Sequence, residues 1–423
     1  MRSAEVRDGR GERVLDFDEA LEIVLRQAAW ARRPRLERVP LEEAVGRVLA
    51  VPITADRDQP PFDRSTRDGF AVRAVDAGAG TWLAVAGQVR AGMQWEGTLR
   101  PDEAIEIMTG APVPEGADAV VMLEHVERSG GGEMRAVRLA GGRRILAREN
   151  IVCRGSEARA GDEVLAEGTE MNAAEIALAA SCGASTTEVY GRPTVSILAT
   201  GDELVDVGEV PGPHQIRNSN SYGLAALVTQ AGGTAMRQPV APDRREELEE
   251  AIRRAQTADL MLLSGGVSAG EYDLVEKVLL ELGAEFFFTG VRMQPGKPVV
   301  FGRVPERDGM RGTYFFGLPG NPVSTQVTFA CFVAPMLRAM RGAGVEAPRF
   351  VQATLVEDVQ GKVGLTRVLP ARLTSNRVRP EVRMVVWQGS GDMAANARAN
   401  CYAVLPPEVE RFRAGDVITV LLR

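Results

Sequence analysis

Histidine, lysine and cysteine are all scarce in this chain. Two histidines, His125 and His214, and four cysteines, Cys153, Cys182, Cys331 and Cys401, are spread over 423 residues. No CxxC pair and no metal-type spacing occurs among them, which argues against both a Cys/His zinc site and a disulfide framework. The cysteines read as buried structural thiols, since a free cysteine packs like a small hydrophobe. Lys277, Lys297 and Lys362 are the only lysines; arginine supplies the other basic groups. A lysine that persists against that bias suggests a site suited to a compact point charge.

Long apolar runs are also missing. The sequence shows no stretch of about 18 consecutive apolar residues, and Met1–Glu12 is polar and charged, so export and membrane insertion are disfavoured and the cytoplasm is expected. A net charge of −7 disfavours a broad grip on nucleic acid, though not a local basic site for a small anion. What the chain does have is length for about three domains, with 45% hydrophobic and 25% charged residues, an ordinary globular balance.

After a leader at 1–13, Asp16 begins a helix with Phe17, Leu21, Val24 and Ala28 on one face and Glu19 placed for a capping box. A second amphipathic helix is expected over 41–50. From about 56 to 142 short β-rich runs alternate with Gly and Pro, which predicts a small all-β module. A helix capped by Asn172 follows, with Gly183 just past its end. Residues 191–340 alternate strand and helix, the pattern of a parallel, doubly wound α/β domain. Residues 346–423 return to short strands and predict a small barrel or sandwich; eleven Lys/Arg against eight Asp/Glu make this part mildly basic. The expected division is 14–56 with 143–190 as a discontinuous mixed α/β region, 57–142 as an inserted β domain, 191–345 as the α/β domain and 346–423 as the C-terminal β domain.

In an open parallel sheet, ligands bind beyond the carboxyl ends of the strands. Three strands of the α/β region end in unusual loops: Thr200-Gly201-Asp202-Glu203, Ser264 to Gly270, and Gly317 to Pro322. The second, with Gly265, Gly266 and Ser268, reads either as a tight strand-to-helix turn or as an anion nest. In the third, Asn321 can cap the next helix with Pro322 at its first position, and the same geometry leaves N–H groups suited to phosphate. Asp202, Glu203 and Asp273 are carboxylates beside a candidate anion site, which calls for a hard cation such as Mg²⁺. Asp273 reads equally well as an N-cap paired with Glu276. Lys297, in the Gln294-Pro295-Gly296-Lys297-Pro298 turn, either presents an ammonium to an oxyanion or is simply solvated. In the β-rich half, Asp63, Arg64, Arg67 and Asp68 share one loop and Thr109 is an exposed hydroxyl candidate.

FDRSTRDGFAVR, IMTGAPVPEGADAVVMLE, TGDEL, SGGVSAGEYD, MQPGKPVVFG, GLPGNPVS and GSGDMAANARANCYAVLP occur in this order. Together they resemble the molybdopterin molybdenumtransferases of the bacterial MoeA type, relatives of the gephyrin E domain, over roughly 14–423. The resemblance implies an elongated homodimer whose α/β domain is similar to the MogA-type adenylyltransferase fold, with a C-terminal β-barrel. The activity implied is insertion of molybdate into adenylylated molybdopterin with release of AMP, assisted by Mg²⁺. It also implies a MogA-type adenylyltransferase and cofactor-accepting molybdoenzymes as partners. By motif, Asp63, Thr109, Glu203, Asp243 and Asp273 match positions important for activity. Ser264, Gly265, Gly266 and Ser268 match the pterin and phosphate loop, and Pro319, Gly320, Asn321, Pro322 and Ser324 match the turn beside it. Lys297 and Pro298 match the second lysine and its neighbour in an MKPGKP element. Asp63 and Thr109 are expected to reach the α/β loops across the dimer interface. The chain departs from the pattern at Gln294, at Leu365 and Pro370, and at Ala394 and Ala395. A pterin-binding or adenylyltransferase-like paralog, or a gephyrin-like scaffold, fits the same motifs.

Overall fold

The computed structural model describes residues 13–129, 135–265, 274–307, 311–375 and 377–423. Helix α1 (Phe17–Ala28) starts at Asp16 with the expected capping box and buries Phe17, Ala20, Leu21, Val24 and Ala28. The amphipathic helix expected over 41–50 does not form: only a 3₁₀ turn, Leu41–Ala44, is present. Gly46 has φ 71°, and the chain beyond it is taken up by bridges from Val48 to Glu170 and Leu49 to Val189. Partners distant in sequence thus override a local helical pattern. Strand β1 (Leu36–Pro40) pairs antiparallel with a strand about 150 residues downstream, Thr186–Tyr190.

Between them lies a six-stranded sheet. Its strands are β2 (Gly69–Val72), β3 (Leu83–Val89), β4 (Glu103–Ile107), β5 (Ala119–Met122), β6 (Val126–Arg128) and β7 (Ala136–Leu139). Their spatial order is β5-β2-β4-β3-β7-β6, antiparallel except for the β3–β4 pair. Residues 119–126 are not one strand, because a 3₁₀ turn at Leu123–His125 separates β5 from β6. Alternate residues feed two cores: Phe70 and Val72 lie in one, Ala71 and Ile105 in the other. Helix α2 (Ala173–Ser181) follows, with an Asn172 capping box and Gly183 at φ 79°, and leads into β8 (Thr186–Tyr190).

The α/β region contains β9 (Thr194–Ala199), α3 (Ser219–Gln230), β10 (Thr234–Arg237), α4 (Arg245–Ala255), β11 (Leu260–Ser264), α5 (Leu274–Glu281), β12 (Glu285–Phe288), β13 (Met293–Gln294), β14 (Val300–Val304) and β15 (Thr313–Leu318). Next come α6 (Pro322–Thr328), a π turn (Phe329–Val333) and α7 (Ala334–Met340). The sheet order is β10-β9-β11-β15-β14-β12. The first four strands are parallel, as expected; β14 runs antiparallel to both its neighbours, β15 and β12, so the sheet is mixed. The connections into β14 and β15 are too short for a helical crossover, and short links join antiparallel neighbours. One face packs α1, α3, α6 and α7 around Val195, Ile197, Leu262 and Phe316; the other packs α4 and α5 around Leu198, Met261, Leu263 and Phe315. Thus α1, grouped by sequence with the first region, packs on the α/β sheet, with Phe17 and Phe332 ring centroids 5.6 Å apart.

Helix 322–340 is long and apolar enough to cross a membrane, but 78% of its apolar window is buried inside the protein. Glu170 ion-pairs with Arg338 and Arg341 and so ties the α2 region to α7.

The C-terminal strands are β16 (Phe350–Leu355), β17 (Thr366–Ser375), β18 (Pro380–Met384), β19 (Cys401–Leu405) and β20 (Val417–Leu422), with helix α8 (Met393–Arg398) before β19. Their order, β17-β18-β16-β20-β19, closes through a β17–β19 pair into a five-stranded barrel. Leu355, Leu369, Val382, Leu405 and Val420 fill its interior, while Val368, Tyr402 and Leu421 pack outward onto the α/β core. Strand β13 adds to β17 in parallel, Gln294 opposite Arg367. Cys182, Cys331 and Cys401 are buried free thiols and Cys153 is half-buried. Burial pushes the Cys401 thiol up to about 11.

Candidate functional site

The carboxyl ends of β9, β11 and β15 meet. Thr200 N donates to Ser264 O at 3.0 Å, and the Leu318 carbonyl lies 3.4 Å from Gly265 N. Gly265 has φ 92°, and a Cβ there would lie 2.6 Å from the Thr200 carbonyl, so glycine is required on both counts. Gly320 borders the same junction: a Cβ on it would lie 4.0 Å from Gly265 Cα, in ordinary van der Waals contact. The loops that the sequence placed on one sheet edge therefore do share it.

Asn220, at the start of α3, binds this junction together. Its Nδ2 donates to Ser264 Oγ at 3.1 Å and to the Gly320 carbonyl at 2.8 Å. It was not among the expected site residues. The signal available was the Asn218-Ser219-Asn220-Ser221 run at a helix start, because Asn and Ser favour such positions. Ser264 is buried, and the buried Thr200 Oγ1 has no hydrogen-bond partner among the described residues.

Two expectations for the third loop change. Asn321 occupies the N-cap position of α6 with Pro322 in the first turn, but its side chain makes no capping hydrogen bond. The N–H groups there are not all free either, since Val323 N donates to Ser390 O of the barrel at 3.0 Å. Pro319 is buried and its carbonyl accepts from Thr325 Oγ1 at 2.5 Å. Ser324 is buried as well. The turn is thus held from below by its own helix and from one side by residues 388–392. Those residues, Gln388, Gly389, Ser390, Gly391 and Asp392, line an open hollow.

The acidic groups gather beside β9. Asp243 N donates to Asp202 Oδ1 at 3.3 Å. Burial, then the charges of Asp202 and Glu203, push the Asp243 carboxyl up. The Glu203 side chain folds back over Gly201, where a Cβ would lie 2.4 Å from its carboxylate. Among the described residues, no three His, Cys, Asp or Glu side chains converge into a set able to hold a metal. Gly266, Ser268 and Asp273 lie outside the described residues. Lys297 is exposed and Pro298 half-buried in the turn after β13. The Lys297 carbonyl accepts from Val291 N at 2.9 Å, which fixes its backbone.

Asp63 and Thr109 sit in the other sheet's loops. Asp63 Oδ1 accepts from Arg154 N at 2.7 Å. Thr109 donates its amide and hydroxyl to Asp68 Oδ1 at 2.7 and 2.8 Å. Those bonds, the amide's foremost, hold the Asp68 carboxyl below its ordinary range. Among the described residues, the hydrogen bonds of Asp63 and Thr109 stay within the N-terminal half and do not reach the α/β loops. Asp68, in the same loop as Asp63, is thus the group that fixes the Thr109 turn.

The fold defines a class: a multidomain α/β protein with N-terminal β-rich regions, a central α/β sheet whose parallel strands end in glycine-bearing loops, and a C-terminal β-barrel. Three family models tile the chain: MoeA N-terminal region (domain I and II) over 15–183, probable molybdopterin binding domain over 196–339, and MoeA C-terminal region (domain IV) over 352–422. A molybdopterin molybdenumtransferase of Staphylococcus epidermidis is 33% identical over 414 residues, covering 96% of this chain and 95% of that one. One from Staphylococcus aureus is 33% identical over 394 residues, with 91% and 90% covered. The crystal structure of the molybdopterin biosynthesis moeA protein from Pyrococcus horikoshii OT3 matches with a TM-score of 0.79 at 29% identity, over 97% of this chain and 100% of that one. The chain belongs to the MoeA family.

Proposed function

We propose that this chain is a molybdopterin molybdenumtransferase that inserts molybdate into adenylylated molybdopterin and releases AMP, forming molybdenum cofactor. The observation that carries the reading is relatedness over nearly the whole length to proteins of that activity, all three family regions being present in order. The meeting of the Thr200, Ser264 and Gly320 loops supports it, since glycine turns at strand ends suit a phosphorylated ligand. In this reading the chain acts in the cytoplasm as a homodimer, with the four-part division expected from the sequence. It receives its pterin from a MogA-type adenylyltransferase and passes the product to molybdoenzymes.

The Ser264–Ser268 loop and the Pro319–Pro322 turn would hold the terminal phosphate of the pterin, with Asn220 keeping the two in register. The acidic group fits a divalent cation in one respect: repulsion among Asp202, Glu203 and Asp243 is what such an ion relieves. Mg²⁺ binds through one or two carboxylates plus phosphate oxygens, so no closed protein ligand set is needed. Asp202 and Glu203, with Asp273, would hold the ion, which when bound neutralises the phosphoanhydride and makes AMP a better leaving group. Lys297 would offset molybdate charge while the pterin dithiol binds molybdenum, its two protons leaving with one displaced oxo group as water. The protein mainly positions and neutralises, so a catalytic histidine is not needed.

The test is incubation with adenylylated molybdopterin, Mg²⁺ and either molybdate or tungstate, with AMP and bound metal quantified. Release of AMP that ignores the oxyanion would sink the proposal. Asp63 and Thr109 are proposed to complete the site of the partner subunit. Mixing Asp63→Ala with Asp273→Ala subunits should then restore activity that neither shows alone, and no rescue would refute the shared site.

A further inference from the structure

Away from the ligand loops, a polar network joins the barrel to the helix that starts at the Pro319–Pro322 turn. Gln326 lies on α6, one turn beyond Pro322. Its Oε1 accepts from Asn396 Nδ2 at 2.8 Å and from Arg423 NH2 at 3.3 Å. Arg423 NH1 donates to the carbonyls of Asn396 and Ala399, at 2.8 and 3.0 Å, where α8 ends. The same guanidinium lies over the Tyr402 ring, 5.4 Å from its centroid. At the other end of α8, Asp392 accepts from Ala395 N at 2.9 Å and from Gln388 N at 3.1 Å. Residues 388–399 therefore form a braced turn and helix, seated on α6 at two points: Ser390 O on Val323 N, and Asn396 on Gln326.

Gln326 is half-buried and Arg423 exposed, so the costly member of this network is Asn396. Asn396 is 1% exposed and its Oδ1 has no hydrogen-bond partner among the described residues. An apolar contact of the same shape would be cheaper if stability alone were at stake. What a directional network supplies is one fixed register between two parts of the chain.

We infer that Gln326, Asn396 and Arg423 are positioning residues that hold the 388–392 turn against the α6 turn, so that the barrel supplies a fixed wall to the reaction site. This rests on the proposed function. Pterin affinity then resides in the α/β loops, and the clamp contributes to turnover by preorganisation.

Gln326→Met keeps the volume and removes the acceptor. Gln326→Glu keeps an acceptor for both Asn396 and Arg423. In the full-length protein, Gln326→Met should lower kcat for molybdate-dependent AMP release about tenfold, with the Kd for adenylylated molybdopterin within about twofold of the parent. Gln326→Glu should retain turnover near the parent value. Arg423→Ala should lose turnover in the same sense, with Tm and far-UV circular dichroism near the parent's showing that α8 and the barrel stay folded. The inference is overturned if Gln326→Met and Arg423→Ala both turn over normally. It is also overturned if pterin affinity falls in step with kcat, or if Glu at 326 is as damaging as Met. A parent protein without molybdate-dependent AMP release refutes the proposed function instead.

Discussion

The sheet of β9, β10, β11, β12, β14 and β15 and the sheet of β2 to β7 each have six strands, but they present chemistry differently. Helices cover both faces of the first, so its polar loops crowd onto one edge, where Thr200, Ser264 and Gly320 meet. Among the described residues no α-helix intervenes between the strands of the second. Its side chains alternate between two cores, and its polar groups emerge in isolated loops, held by local bonds such as Thr109 to Asp68. Parallel strands must return by crossovers, so their carboxyl ends collect on one side; antiparallel strands send turns to both ends. One sheet can build a cleft alone, and the other can only lend residues to one.

The sharpest way to break this comparison is at the acidic edge of the first sheet. Glu203→Gln should reduce AMP release by about 100-fold or more without lowering Tm, because it removes charge from a self-repelling group. A variant near full activity would detach the cleft from the chemistry. Asp68→Asn, the matching change in the second sheet, should cost only about tenfold, through a loosened Thr109 turn. Equal losses would erase the distinction between a sheet that builds the cleft and one that lends to it.

Stability should show the same contrast. Phe316, fully buried and stacked on Phe301 at 4.4 Å, is central to the first sheet, and Phe316→Ala should cost about 3–5 kcal/mol in urea unfolding. On the edge opposite the cleft, Asp259 is held by Thr194 and Arg311. Burial raises its carboxyl, but the bonds from Thr194 and Arg311 outweigh this and leave it below the ordinary range. Asp259→Asn should cost about 1.5–3 kcal/mol at neutral pH. Because the folded state favours the charged form, that stability is present above the unfolded carboxylate range and fades as pH falls through the lowered folded value. The difference between parent and variant should shrink in acid, as urea titrations across pH will show. Asp243 has the opposite sign. Its raised carboxyl penalises the folded state once it ionises, so Asp243→Asn should slightly raise Tm at neutral pH and lose that advantage in acid.

Much of the α/β region was legible from local pattern. Apolar runs such as TVSILAT and DLMLLSGG, each followed by a helical segment, leave few alternatives. The capping boxes at Asp16 and Asn172 formed as expected because they need only residues three apart. The failures involve distant partners. Residues 41–50 have a helical pattern, yet bridges to Glu170 and Val189 claim the backbone beyond Gly46. Asn321 and its helix start looked free to take an anion, but Ser390, about 70 residues away, occupies the Val323 amide. Gln326, Asn396 and Arg423 look like unremarkable polar residues until the barrel closes onto α6.

The sequence alone determined the order of the regions, the family and the glycines that its loops require, because periodicity, caps and turn chemistry are local. Only the tertiary structure decided that β14 runs against the other strands of its sheet, that the barrel closes through β17 and β19, and which polar groups share a neighbour. The barrel's closure and the shared polar neighbours depend on contacts between segments far apart in the chain, and the reversal of β14 on which strands its short links pair it with; all are selected by global packing and not by any one segment's preference.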